Sequence, residues 1–363
     1  MELIRLKIYL PIAAPARRVR CDGSESPFRL CLGFEPKWFT ERCSVTFTER
    51  WHRDPVYRFE TLVRMKEELL RRFPDVGQWD REDLSDVATI SGCYGAYLIP
   101  YACGLPLRFA PDRYPVLESG PKLETPDQIK VDEILRGPVV EDLLRQIDLI
   151  GRKWGPAAGY LNWQGVLNNA FHLRGYRIFL DLYDDPALAG GFFEKITDLM
   201  VRMAKLLQEA QRRTGFMVDH MSISNCVINM ISPEDYKRFL LRYDARIADS
   251  FPAFGVHTCN WNVTPYLEVL RMLPKVGYID MGISSDMARV RRVFPEPRRA
   301  LIYPPVWLEQ KSPEELRADL QRIRKDLAPC DIVMADIAWS TADDRVRLFA
   351  SLCRKEEALL ESA

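Results

Sequence analysis

A (β/α)8 TIM barrel, an α/β fold with an irregular N-terminal extension, is what the 363-residue sequence predicts, and three observations predict it. Strand-like and helix-like segments alternate from residue 139 to residue 361, which implies parallel strands joined by crossover helices. Six such units are visible there, so two more strands within residues 1–140 close an eight-stranded barrel. The rival, an open doubly wound sheet, wants a Gly-rich first turn, and no G-x-G-x-x-G is present.

Each element has a local reason. Residues 1–57 read as an irregular extension packed on the barrel, with strand-like pieces such as Cys43 to Phe47, and residues 58–363 read as the barrel itself. Residues 58–73 are an amphipathic helix, with Phe59, Leu62, Val63, Leu69, Leu70 and Phe73 on one face. Residues 104–138 hold six prolines and read as a long irregular connection. Val140 to Trp154 is a helix, Ala158 to Val166 a strand candidate, and residues 186–213 one or two helices. The strands that follow are Phe216–Ile223, Phe254–Cys259, Val276–Met281, Ala300–Tyr303 and Asp331–Asp336. Between them, Ser232-Pro233, Thr264-Pro265 and the capping box Ser312-Pro313-Glu314-Glu315 open helices, and Thr341 caps the last one.

Composition narrows the function. Basic and acidic side chains balance at 51 each, which argues against a nucleic-acid binder and provides no polybasic membrane anchor. No window approaches the ~18 apolar residues of a spanning helix. Arg5 and Lys7 interrupt the first apolar run, which makes it a poor signal peptide, so a cytoplasmic protein is expected. The nine cysteines are thinly spread, with no C-x-x-C pair, as in a reducing compartment. Neither a G-x-S-x-G elbow nor a P-loop appears. Arg289, Arg291 and Arg292 read as a solvated face.

The sharpest local feature is His257-Thr258-Cys259 at a strand's C-terminal end, the active-site rim of a parallel barrel. Positions i and i+2 of a strand share a face, so His257 and Cys259 project together as two of the three protein ligands of a catalytic zinc. Candidates for the third are Asp336, Asp280, Asp219, His220 and Cys330. Asp336 ranks above Cys330, because Cys330 precedes its strand and belongs to the opposite end. Trp163, Trp261, Trp307 and Trp339 fall at or just past strand ends and suggest an aromatic-lined pocket. Asn162, Gln164, Asn168, Asn225, Asn260 and Asn262 share that rim, while basic residues are scarce.

From about residue 58 onward the chain resembles the uroporphyrinogen decarboxylase superfamily, most strongly from residue 215. The resemblance rests on Ile231-Ser232-Pro233-Glu234-Asp235-Tyr236, His257-Thr258-Cys259-Asn260, the Ser312 capping box and Thr341-Ala342-Asp343-Asp344-Arg345. It implies a (β/α)8 barrel that is either a porphyrinogen decarboxylase or a zinc methyltransferase working with a corrinoid protein. The decarboxylases carry an M-R-Q-A-G-R segment for substrate carboxylates; Arg17, Arg18 and Arg20 stand in a different context here. The methyltransferases carry H-x-C plus a distal Cys, whose place near Ala335–Ile337 is taken by Asp336. The implied cofactors are Zn2+ and a corrinoid on a partner protein. The implied partners are that protein and a small methyl donor or acceptor, with a homodimer compatible. An oxygen ligand and an aromatic rim favour a methoxylated aromatic donor. A methylcorrinoid:thiol methyltransferase, a decarboxylase of a small cyclic acid and a purely ligand-binding barrel are the alternatives.

Overall fold

The predicted strands assemble because most are continuous apolar runs, buried on both faces as barrel strands must be. The computed structural model describes residues 7–9, 26–76 and 82–361. Its main sheet comprises β1 (Lys7–Tyr9), β2 (Phe28–Phe34), β5 (His220–Ser224), β6 (Ala253–His257), β7 (Val276–Gly282), β8 (Arg298–Ile302) and β9 (Cys330–Ile337). Between β2 and β5 in sequence lies the antiparallel hairpin of β3 (Leu107–Ala110) and β4 (Arg113–Leu117). The main sheet runs β1-β2-β9-β8-β7-β6-β5, parallel throughout. Isolated parallel bridges, Gln164 to Ser224 and Ala158 to Thr89, continue the circle past β5. Helices cover the outside, the longest being Pro186–Arg213 and Asp343–Glu361. The fold is the expected α/β barrel of the TIM type.

The N-terminal ends of the strands are stitched by charge. Asp331, fully buried on β9, accepts from Arg29 of β2 and from Arg298 of β8, the latter at 2.6 Å. Paired registers put these groups side by side: Arg29 faces Asp331 across β2–β9, and Ala300 faces it across β8–β9. Two guanidinium groups and their hydrogen bonds compensate the desolvated carboxylate. Cys330 lies at this end, as its position before the strand predicts. A second buried cation, Arg58, ties the helix Pro55–Arg72 to the barrel. It donates to the carbonyls of Thr89, Trp51 and His52 and to Gln146 Oε1.

Several expectations are corrected. Residues 26–57 are not irregular: they carry β2, which pairs along its length with β9, and the helix Pro36–Cys43. A seven-residue apolar run such as Phe28–Phe34 has no periodicity that distinguishes a buried strand from a core fragment. The Cys43–Phe47 piece belongs to no strand. The connection 104–138 contains the β3–β4 hairpin and two short helical turns. Pro115 sits in β4, where a two-stranded ribbon leaves its missing N–H harmless. The Ala158–Val166 strand is reduced to its two bridges, because Gly159 adopts φ +100° between them. Thr341 does not cap the last helix; its hydroxyl donates to Glu309. Arg17, Arg18 and Arg20 lie outside the described residues.

Gly159 also has no room for a side chain. A Cβ there would lie 2.0 Å from Thr89 Oγ1 and 2.3 Å from Ser91 Oγ. Gly155 has a similar φ, +93°, with nothing within 4 Å. Gly155→Ala is therefore expected to cost only the backbone term, about 1–3 kcal/mol. Gly159→Ala should cost about 1–3 kcal/mol more through overpacking. Urea midpoints of the two variants measure the difference.

Candidate metal centre

Two parallel strands in register build the site. Ser224 at the end of β5 pairs with His257 at the end of β6, so Cys226 and Cys259 lie at equal offsets beyond them. The Asn225 N–H donates to the His257 carbonyl at 2.7 Å, which locks the two exits together. Beyond His257 the chain turns through Cys259 at φ +61°. His257 and Cys259 thus meet by a left-handed turn, not by strand alternation, because β6 ends at His257. Gly282 on β7 leaves space for that turn: a Cβ there would lie 1.9 Å from the Asn260 carbonyl oxygen.

Three ligand atoms converge. Cys226 Sγ and Cys259 Sγ are 3.0 Å apart, and His257 Nε2 is 3.2 Å from Cys259 Sγ. All three lie within 4.8 Å of one another. A Cys2His set of this size suits a tetrahedral zinc with a fourth position open, since sulfur binds at about 2.3 Å and nitrogen at about 2.0 Å. Asp280 prepares the histidine. Its carboxylate is fully buried, with Oδ2 2.6 Å from His257 Nδ1 and Oδ1 accepting from the Thr258 N–H at 2.8 Å. Nδ1 therefore carries the proton and Nε2 faces the sulfurs.

Without a metal the same groups form an ion cluster. Burial opposes a charged His257, but Asp280, Cys226 and Cys259 outweigh it and raise its pKa. The hydrogen bond from Cys226 lowers the Cys259 pKa against burial, and His257 lowers it further. Cys226, as that donor, is pushed up. One thiolate and one imidazolium thus face each other, and a metal would take the place of the proton between them.

The centre opens into a cavity of about 670 Å³. Asn162, Gln164, Ser224 and Asn260 line it with the ligands, as do Tyr97, Tyr303, Pro304, Pro305 and Asp336. The β3–β4 hairpin supplies Tyr114, Pro115 and Val116 as a further wall. Asn162 Oδ1 accepts from both Gln164 and Ser224, and Asn168 donates to Gln164 at 2.7 Å, so the polar wall is a held network.

The predicted residues divide accordingly. His257 and Cys259 converge, through the left-handed turn at Cys259 and not through the shared strand face that the spacing predicts. Asp336 lines the cavity but does not join the ligand cluster; its Oδ1 accepts from Tyr114 at 2.9 Å. Cys226 takes the third place. Gln164 and Asn260 line the cavity, whereas Asp280 stands behind His257 and not against a substrate. Asn225 turns its amide to Asp244, and Asn262 caps Thr264. None of the four tryptophans lines the cavity. Trp163 borders a separate small void of about 20 Å³, and Trp261 packs on Tyr266. Trp307 packs on Tyr303, and Trp339 is exposed beneath Lys37. Asp219 and His220 stand at the start of β5, the end away from the site, because that strand begins later than its apolar pattern suggests. Cys226 was legible in principle: two cysteines follow successive strand ends, but register is needed to equate their offsets.

A profile described as uroporphyrinogen decarboxylase (URO-D) matches residues 86–335. Among solved structures, a chain titled "methyltransferase from Methanosarcina mazei" superposes with a TM-score of 0.65 at 14% identity. The match covers 97% of this chain and 94% of that one, and it shows a shared fold. No curated protein matches the sequence.

The ion cluster has a direct chemical signature. In metal-depleted protein, Cys259 should be alkylated by iodoacetamide at pH 6, because its lowered pKa keeps it ionised there. Cys43, pushed up to about 11 by burial, should stay unmodified. Asp280→Asn should slow Cys259 alkylation at pH 6 and leave it less affected at pH 9. Mass spectrometry of the alkylated peptides reads both.

Proposed function

The chain belongs to the uroporphyrinogen decarboxylase family, and within it we propose a zinc-dependent methyltransferase that moves a methyl group between a small molecule and the cobalt of a corrinoid protein. The observation that carries this reading is the Cys226–His257–Cys259 cluster facing the cavity. A decarboxylase needs cations for its substrate's carboxylates. Among the described residues no Lys or Arg lines the cavity.

Cys226 Sγ, His257 Nε2 and Cys259 Sγ would hold the zinc, and a substrate oxygen or sulfur would complete the set. Bound there, zinc supplies Lewis acidity that stabilises charge on the leaving atom of a methyl donor, or keeps a thiol acceptor ionised. The protein's own residues do the rest. Asp280 accepts the Nδ1 proton and fixes the ring. Asn162 and Gln164, held by Ser224 and Asn168, present amides that orient a substrate. Pro304, Pro305 and Ile302 furnish an apolar wall that limits water. A corrinoid protein would approach at the cavity mouth, the side onto which Cys226, His257 and Cys259 open, and its cobalt would supply the methyl acceptor or donor. Free thiolates of this kind suit a cytoplasmic location.

The two arguments for a methoxylated aromatic donor fall. Sulfur, not the harder carboxylate, fills the third place of the cluster proposed for the zinc, and none of the four tryptophans lines the cavity. Thiol methylation and methyl-donor cleavage therefore stand level, and the assay decides between them.

Purified protein should contain one zinc per chain. Cys226→Ala, His257→Ala and Cys259→Ala should each lose it with circular dichroism unchanged, while Asp336→Ala should retain it. Stoichiometric zinc in Cys226→Ala would sink the assignment. Asp280→Asn should weaken zinc about 10–100-fold in a chelator competition.

The reaction is read by absorbance. Cob(I)alamin should become methylcobalamin with a suitable methyl donor, or methylcobalamin should be consumed with a thiol. Turnover should vanish in His257→Ala. Carbon dioxide release from a cyclic acid, with no methyl transfer in either direction, would return the protein to the decarboxylases.

A further inference from the structure

The position of Asp336 is built, not incidental. Between Leu32–Met334 and Phe34–Ile337 the β2–β9 register slips by one, so β9 carries a bulge at Ala335–Asp336. Asp336 occupies that bulge at φ +59°, a left-handed conformation costly for any residue with a side chain. Bulges re-aim side chains beside functional sites. Here the bulge sets Asp336 on the cavity wall. Tyr114, reaching across from the hairpin, donates to Oδ1 at 2.9 Å. Burial and the nearby Glu35 push the Asp336 pKa up while that bond pulls it down, and Oδ2 is left for a ligand, whose positive charge would hold the carboxylate ionised.

The surroundings favour one sign of charge. Among the described residues the cavity holds no Lys or Arg to neutralise Asp336. A zinc on two thiolates and a neutral imidazole is itself without net charge. Tyr303 turns its hydroxyl away, donating to Asp319 at 2.6 Å, so its ring forms the wall. Tyr97 and Tyr114 add two more rings. Tyrosine rings and a carboxylate are the surroundings an organic ammonium group prefers.

We propose that this cavity selects a methyl donor or acceptor carrying an ammonium group, with Asp336 as the specificity-determining residue that faces the charge. This rests on reading the cavity as the methyl-transfer site. It departs from an anionic or a simple aromatic substrate. The oxygen or sulfur end of such a molecule faces Cys226, His257 and Cys259, and its ammonium end faces Asp336 within the tyrosine wall.

Three near-isosteric methyl ethers test it: 2-methoxyethylamine (cationic at pH 7), 2-methoxyethanol (neutral) and methoxyacetate (anionic). Ligand-observed NMR should rank them in that order of affinity, with about tenfold between the first and second. The ranking should hold in zinc-loaded and metal-depleted protein. Asp336→Asn should abolish the advantage of the amine and leave 2-methoxyethanol unchanged, with zinc content intact; Asp336→Glu should preserve part of it. If Asp336→Asn does not fold, the wild-type ranking decides. Equal affinities, or tighter methoxyacetate, would overturn the proposal. Cobalamin methylation that runs equally well from all three would overturn it while leaving the methyltransferase reading standing. The predicted ranking in a protein with no methyl-transfer activity would do the reverse.

Discussion

The contact between Asp280 and the His257–Thr258 pair is the constraint on which the rest of the site depends. One buried carboxylate accepts from the Thr258 backbone and the His257 ring, and the Thr258 hydroxyl donates back to the Asp280 carbonyl. This clamps the exit of β6 to β7 just where the chain must leave the sheet. With the ring fixed, Nε2 has a single direction in which to point, and that direction contains both sulfurs. The Asn225 N–H then carries the same order to the exit of β5, and so to Cys226. A metal binding here would find the three side chains already placed, and their convergence would cost little further ordering.

The two ends of the barrel divide the work between stability and chemistry. At the N-terminal end, the Asp331 carboxylate is held by Arg29 and Arg298. At the C-terminal end, sulfurs, amides and a carboxylate face a cavity. Two of the non-glycine residues with positive φ stand at that end, Cys259 beyond β6 and Asp336 in the bulge of β9. Such conformations cost about 1–3 kcal/mol each and persist where packing over-determines them. Both aim a side chain into the same space, which makes a shared functional purpose the economical account of both.

Strand alternation from residue 139 onward was enough to specify a parallel barrel, because crossover helices leave a strong 3.6-residue periodicity and visible caps. Ser232 and Ser312 cap as their sequences indicate, and Pro138–Trp154 and Pro186–Arg213 are helices as their patterns require. The H-x-C pair and its location at a strand end were also legible. Less was legible in residues 26–57 and 104–138. The strand Phe28–Phe34 is stabilised by pairing with a segment some 300 residues away, and the β3–β4 hairpin turns at Pro111-Asp112 without the Asn-Gly or Asp-Gly pair that marks hairpins most strongly.

The sequence by itself determined the fold class, the end of the barrel at which His257 and Cys259 stand, and two of the three side chains of the cluster. All of these follow from local pattern: periodicity, capping and side-chain type. Tertiary structure alone decided the third member of the cluster, because Cys226 reaches Cys259 only through the register of β5 on β6. It also decided what Asp336 and Asp280 do. One is turned into the cavity by a bulge, and the other is buried behind a histidine on the next strand. Four tryptophans placed by their nearness to strand ends turned out to pack elsewhere, since an end position does not say which way a side chain points. Register and bulges arise between segments distant in sequence, so no local pattern records them.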